Sequence, residues 1–115
     1  MKAYVMLLFL ALPSTARSQW SAIDTVNTPI CTAPLVQYSP RVIGDGAGGA
    51  VFAWIENRAN ASNDMYIYAQ RVNAAGVLQW GPNGVLVCAS NNQRTFGSSA
   101  SMVSDGTGGA IIVWT

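Results

Sequence analysis

Apolar residues in this chain do not recur every three or four positions. They alternate along short segments. Ala50, Phe52 and Trp54 interleave with Val51, Ala53 and Ile55, so both sides of that segment are apolar until Glu56. Ala110, Ile112 and Trp114 interleave with Ile111 and Val113 in the same way. A strand apolar on both sides is buried on both, as happens where sheets stack face to face. Tyr66, Tyr68 and Val72, set against Ile67, Ala69 and Arg71, give a mixed pattern nearer a sheet edge. The pattern predicts strands over 40–44, 49–56, 65–72, 76–80, 84–88, 99–104 and 109–114, and no helix from residue 19 onward.

The segments between these strands carry turn chemistry. Asp45-Gly46-Ala47-Gly48-Gly49 and Asp105-Gly106-Thr107-Gly108-Gly109 put an Asp that can accept from nearby amides beside glycines that tolerate positive φ. Asn73-Ala74-Ala75-Gly76 and Gly81-Pro82-Asn83-Gly84 read as short hairpin loops. Asn57 to Asp64 is the longest polar loop.

The two Asp-Gly turns sit in a longer repetition. Val42 to Trp54 returns 60 positions later as Met102 to Trp114, with six of thirteen positions identical: Asp45/Asp105, Gly46/Gly106, Gly48/Gly108, Gly49/Gly109, Ala50/Ala110 and Trp54/Trp114. Gln19-Trp20 and Gln79-Trp80 keep the same offset. A fixed period of this size marks a repeat architecture, whose units bury their apolar faces only against neighbours. Four antiparallel strands per unit predict an all-β fold of propeller-like blades, incomplete here, with a stack or sandwich of antiparallel sheets as the alternative.

Three spans follow from this organisation. Residues 1–18 read as a signal peptide: Lys2, an apolar run from Ala3 to Leu12, Pro13, and small residues Ala16 and Ser18 before the cut. That run is shorter than the roughly 20 residues a membrane span needs. Residues 19–80 form a first unit and 81–115 a second, truncated one, since Thr115 falls one residue past Trp114 in what should be mid-strand. The expectation is an N-terminal fragment of a longer exported protein with no membrane span after cleavage.

Without its leader the chain keeps four cations and five acids, a net charge of about −1 with no basic patch, which argues against a nucleic-acid footprint. The sequence has no His, so Ser/His/Asp and Cys/His nucleophile systems are excluded.

Taken together, the motifs resemble those of secreted bacterial repeat proteins whose units read DG-x-GG, W-x-(D/E)-x-R, YAQR and G-x-x-x-W. Here these are Asp45 to Gly49, Trp54 to Arg58, Tyr68-Ala69-Gln70-Arg71 and Gly76 to Trp80. The resemblance implies multi-bladed, propeller-like secreted or surface proteins, often with a C-terminal sorting domain. Glu56 stands where Asp is usual in such units. A looser similarity, Asp45 nine residues before Trp54, is to sialidase-like propellers, and no catalytic residue carries over from it.

Each candidate site has a structural explanation beside the chemical one. Asp45, Glu56 and Asp64 fall in one unit, and glycosidases use two carboxylates. Yet Asp45 and Asp105 serve as turn formers, Glu56 can pair with Arg58 or Arg71, and Asp64 opens a strand. One acid per loop is poor support for calcium, so no metal or cofactor is expected. Trp20, Trp54, Trp80 and Trp114, with Tyr66 and Tyr68, are read as packing residues before a carbohydrate platform. Asn60-Ala61-Ser62 matches a glycosylation triplet that arises readily by chance. Cys31 and Cys88 each end an apolar strand at matching places in successive units. Neighbouring sheets lie about 10 Å apart, whereas a disulfide needs Cα atoms within about 7 Å, so free thiols are expected.

The structural repeat set is therefore Asp45, Gly46, Gly48, Gly49, Trp54, Arg58, Tyr68, Gln70, Arg71, Trp80, Asp105, Gly106, Gly108, Gly109 and Trp114, with no catalytic residue assigned. The functional expectation is a non-catalytic secreted or cell-surface module that binds a protein or glycan, with 57–64 as the place for a partner. The alternative is part of a sialidase-like or other glycoside hydrolase.

Overall fold

The computed structural model describes residues 25–58, 65–89 and 101–115. The expected leader at 1–18, Trp20, the loop tip at 59–64 with Asp64 and the glycosylation triplet, and the start of the 99–104 strand lie outside the described residues.

The described residues are all-β. Four strands, β1 (Gln37–Gly44), β2 (Ala50–Glu56), β3 (Tyr66–Val72) and β4 (Val85–Cys88), form one antiparallel sheet in sequential order. Two further strands, β5 (Met102–Ser104) and β6 (Ala110–Ile112), form an antiparallel hairpin. The hairpins share a register: Val42 faces Phe52 and Gly44 faces Ala50, as Met102 faces Ile112 and Ser104 faces Ala110.

β2 is buried almost throughout, as its two-sided apolar pattern requires. One face carries Val51, Ala53 and Ile55, which join Ile67, Ala69 and Met102 in the core. Ala110, Ile112 and Trp114 pack against that core, so the second sheet lies on this face of the first. Arg41 Nε donates to Ser101 Oγ across the junction at 3.0 Å. The opposite face carries Phe52, Trp54 and Glu56, beside Tyr68 and Gln70 of β3. Ile30 and Cys31 approach this face near Trp54.

The contact between sheets joins unlike faces. Met102, Ala110, Ile112 and Trp114 repeat Val42, Ala50, Phe52 and Trp54. The second sheet thus turns its tryptophan-bearing face toward the Val51 face of the first. Its other face repeats Ile43, Val51 and Ala53 as Val103, Ile111 and Val113, which are exposed.

Three strand expectations need correction. Residues 76–80 are no strand: Leu78 makes only an isolated bridge to Val72, and the fourth strand of the sheet is β4. The Gln70 amide diverts the chain there, its Oε1 accepting from Trp80 N at 2.9 Å and its Nε2 donating to Gly81 O at 2.6 Å. β1 begins earlier than 40, because Ser39 and Pro40 form a bulge between the Tyr38/Ile55 and Arg41/Ala53 pairs, with Ser39 at φ 53°. A proline without an N–H is tolerated at such a bulge on an edge strand. Cys31 ends no strand and lies in irregular chain, while Cys88 closes β4.

Candidate functional site

Two polar clusters occupy opposite ends of β2. At the turn end, Asp45 Oδ1 accepts from Ala47 N and Gly49 N, both at 2.8 Å. Its Oδ2 accepts from Arg71 Nε at 3.1 Å and Nη2 at 2.8 Å. The Ala47 N–H first, then the Arg71 guanidinium, and less strongly the Gly49 N–H hold the carboxyl below the usual range. Gly49 has no room for a side chain: a Cβ there would lie 2.2 Å from Val72 O.

Asp105 closes the second turn in the same way, with Oδ1 accepting from Thr107 N at 2.7 Å and Gly109 N at 2.9 Å. Those amide bonds again lower its carboxyl. The surroundings differ, however. Asp45 is buried and ion-paired, whereas Asp105 is exposed and among the described residues no arginine pairs with it. Arg71 touches the second turn at another point. A Cβ on Gly108 would lie 2.8 Å from its Nη1, so the guanidinium rests on glycine backbone.

At the other end Glu56 is fully buried. Trp54 Nε1 donates to its Oε2 at 2.7 Å, and Arg58 Nε pairs with its Oε1. Arg58 Nη2 also donates to Asn83 O at 2.8 Å, and the guanidinium lies 3.9 Å from the centre of the Tyr68 ring. Tyr68 stacks on Trp54, its cross-strand partner, with centroids 6.4 Å apart. Cys31 Sγ is 3.5 Å from Arg58 Nη2 and 3.9 Å from Glu56 Oε2. Both thiols are unbridged and half-buried.

Beside this cluster lies a cleft of about 250 Å³ lined by Ile30, Cys31, Gln37, Tyr38, Phe52 and Trp54. It lies at the end of the sheet where the Asn57 loop departs. Sequence reasoning missed Gln37, Tyr38 and Phe52 as its walls; β1 pairing opposite Glu56 and Ile55 brings the first two there.

Of the described carboxylates, Asp45 and Glu56 are not brought together. β2 separates Asp45 from Glu56 by its whole length, about 20 Å at the usual rise per residue. A glycosidase pair sits about 5–10 Å apart. Glu56 takes Arg58 and leaves Arg71 to Asp45, which settles the pairing between the two candidates. Among the described residues no three His, Cys, Asp or Glu side chains cluster as metal ligands.

The YAQR segment reads as four structural roles. Tyr68 stacks on Trp54, Ala69 is in the core, Gln70 pins Trp80 and Gly81, and Arg71 neutralises Asp45. Trp54 is buried, and Trp80 and Trp114 are half-buried against the core. Among the described residues no helix is long and apolar enough to cross a membrane. In comparisons with known proteins, the chain matches no family model, no curated protein and no solved structure.

Proposed function

We propose that this chain is a non-catalytic, exported β-repeat module of a secreted or cell-surface protein. Its sheets would stack as propeller-like blades within a longer array, and it would bind a protein or glycan at the end of the first sheet where the Asn57 loop leaves. The supporting observation is the division of labour among polar residues. Asp45 and Glu56 are consumed by arginines and backbone or indole donors within the fold, about a strand length apart. A cleft lined by Gln37, Tyr38, Phe52 and the buried Trp54 lies beside the Glu56 cluster. Aromatic faces with a nearby amide suit the apolar face and hydroxyls of a sugar, or an aromatic side chain of a protein. The leader-like pattern at Met1 to Ser18 supports export.

The test is binding of the purified protein to glycan and protein arrays, followed by Phe52→Ala and Gln37→Ala on any ligand found. The expected result is a ligand whose affinity falls at least about tenfold with either change. Turnover of chromogenic glycosides by the protein, lost in Glu56→Gln, would favour the hydrolase reading instead.

A further inference from the structure

Among the described residues the second sheet presents an edge without a partner strand, beside a groove. Among the described strands β6 pairs only with β5, leaving its other edge without a strand. Between that edge and the first sheet runs a groove of about 450 Å³ lined by Ala69, Trp80, Val85, Val87, Ile112 and Trp114. At its turn end stands Asp105, exposed, with its Oδ1 committed to two amides and, among the described residues, no cation on the carboxylate.

The first sheet shows what fits such a place. β2 repeats as β6, and on the corresponding edge of β2 lies β3, with Arg71 opposite Val51. From that register Arg71 closes on Asp45, and Tyr68 stacks on Trp54. Val51, Asp45 and Trp54 repeat as Ile111, Asp105 and Trp114.

We propose that the β6 edge and its groove take an antiparallel strand with the chemistry of Tyr66–Val72. Its arginine stands opposite Ile111 and closes on Asp105, and a tyrosine three residues before it, on the other face, stacks on Trp114. The main chain supplies ladder hydrogen bonds, and alternate side chains enter the groove, the mode of strand addition at an open edge. Charge selects the occupant: a carboxylate held by two amides keeps its charge, and a guanidinium donates two parallel bonds to it. An apolar strand without arginine would leave that carboxylate covered and unpaired. The occupant is thus a β3-like segment, distinct from any ligand of the cleft at Tyr38.

A synthetic peptide with the sequence of Tyr66–Val72 tests this on the whole protein. The peptide contains no tryptophan, so emission from Trp80 and Trp114 reports its arrival in the groove. Saturable binding is expected, with protection of the Ala110–Ile112 amides from hydrogen exchange. A peptide with Arg71→Gln should bind at least about tenfold more weakly, as loss of one charge-assisted pair implies. So should one with Gln70 and Arg71 exchanged, because a one-residue shift sends the guanidinium to the other face. Asp105→Asn in the protein keeps an oxygen for Thr107 and Gly109. It should weaken the unaltered peptide by the same factor while leaving the Arg71→Gln peptide unchanged. Equal affinity for all three peptides, indifference to Asp105→Asn, or no saturation by about 1 mM would overturn the proposal. Self-association through β6 that survives Asp105→Asn would overturn it too. In a second version, the sequence from Glu56 to Val72 is fused after Thr115. Its melting temperature should exceed that of the parent, and Asp105→Asn should remove most of the gain.

Discussion

Arg71 Nε and Nη2 both donate to Asp45 Oδ2, at 3.1 and 2.8 Å, across 26 residues of sequence. The same guanidinium lies against Gly108 of the second turn. One side chain therefore neutralises a buried carboxylate within one sheet and packs on the next.

Replacing Arg71 should lower stability in a definite order. Arg71→Met strands the buried Asp45 carboxylate without its counter-charge, the costly half of breaking a pair. Arg71→Lys keeps a charge but cannot give two donors from one plane to Oδ2, nor lie flat on Gly108. Urea midpoints followed by circular dichroism should fall from the parent through Lys to Met. A Lys variant equal to the parent would show that bidentate geometry contributes nothing. Gly108→Ala pushes on the same guanidinium, so combined with Arg71→Met its cost should be less than additive.

Acid should weaken the fold through the two turn aspartates. Both carboxyls are held below the usual range in the folded protein, each chiefly by a backbone amide two residues on. A depressed folded value means the unfolded chain takes up protons first. The stabilisation is then complete above the unfolded value, about pH 4, and lost as pH falls through the folded value below it. Unfolding midpoints should be flat from pH 7 to about 5 and decline below 4. Asp45→Asn should start lower at pH 7 and decline less; an unchanged acid slope would remove Asp45 from the account.

The sheet was legible where local pattern and burial agree. Val51 to Ile55 is apolar on both sides because a sheet covers one face and Trp54 itself closes the other, and β2 follows. The Asp45 turn was equally readable, since its partners at Ala47 and Gly49 lie within four residues. The choice of Arg58 or Arg71 for Glu56 was open, because the register that sends Arg71 to Asp45 is a property of paired strands. Residues 76–80 look like a strand by apolar content, but the Asn73 turn and the Gln70 side chain, ten residues upstream of Trp80, hold them out of the ladder. The cleft walls Gln37 and Tyr38 owe their place to a bulge at Ser39 that no alternation announces.

Burial, not residue type, should decide the cost of truncating isoleucine. Ile67 is fully buried between the sheets, so Ile67→Ala should cost about 2–5 kcal/mol. Ile111 is 56% exposed on the outer face of the second sheet, and Ile111→Ala should stay within about 0.5 kcal/mol. Equilibrium urea unfolding of both variants gives the comparison directly. A large loss at Ile111 would mean that its face is covered in solution.

Glycines of the first turn should separate strain from crowding. Gly46 has φ 78° with open space around it, so Gly46→Ala meets only the left-handed backbone penalty, about 1–2 kcal/mol. Gly49 meets no such penalty. A methyl there would lie 2.2 Å from Val72 O, 2.8 Å from Asp45 Oδ2 and 2.9 Å from Asn73 Cα. Two of those three atoms are backbone, at the end of the strand that delivers Arg71 and one residue past it, so relief requires β2 and β3 to part at their turn end. Gly49→Ala should therefore cost more than Gly46→Ala and should also loosen the Arg71 contact with Asp45. Measured at pH 7 and again below pH 4, the Gly49→Ala variant should lose less on acidification than Gly46→Ala does. Equal stability of the two alanine variants would mean that the close approach of Gly49 to Val72 does not constrain the fold.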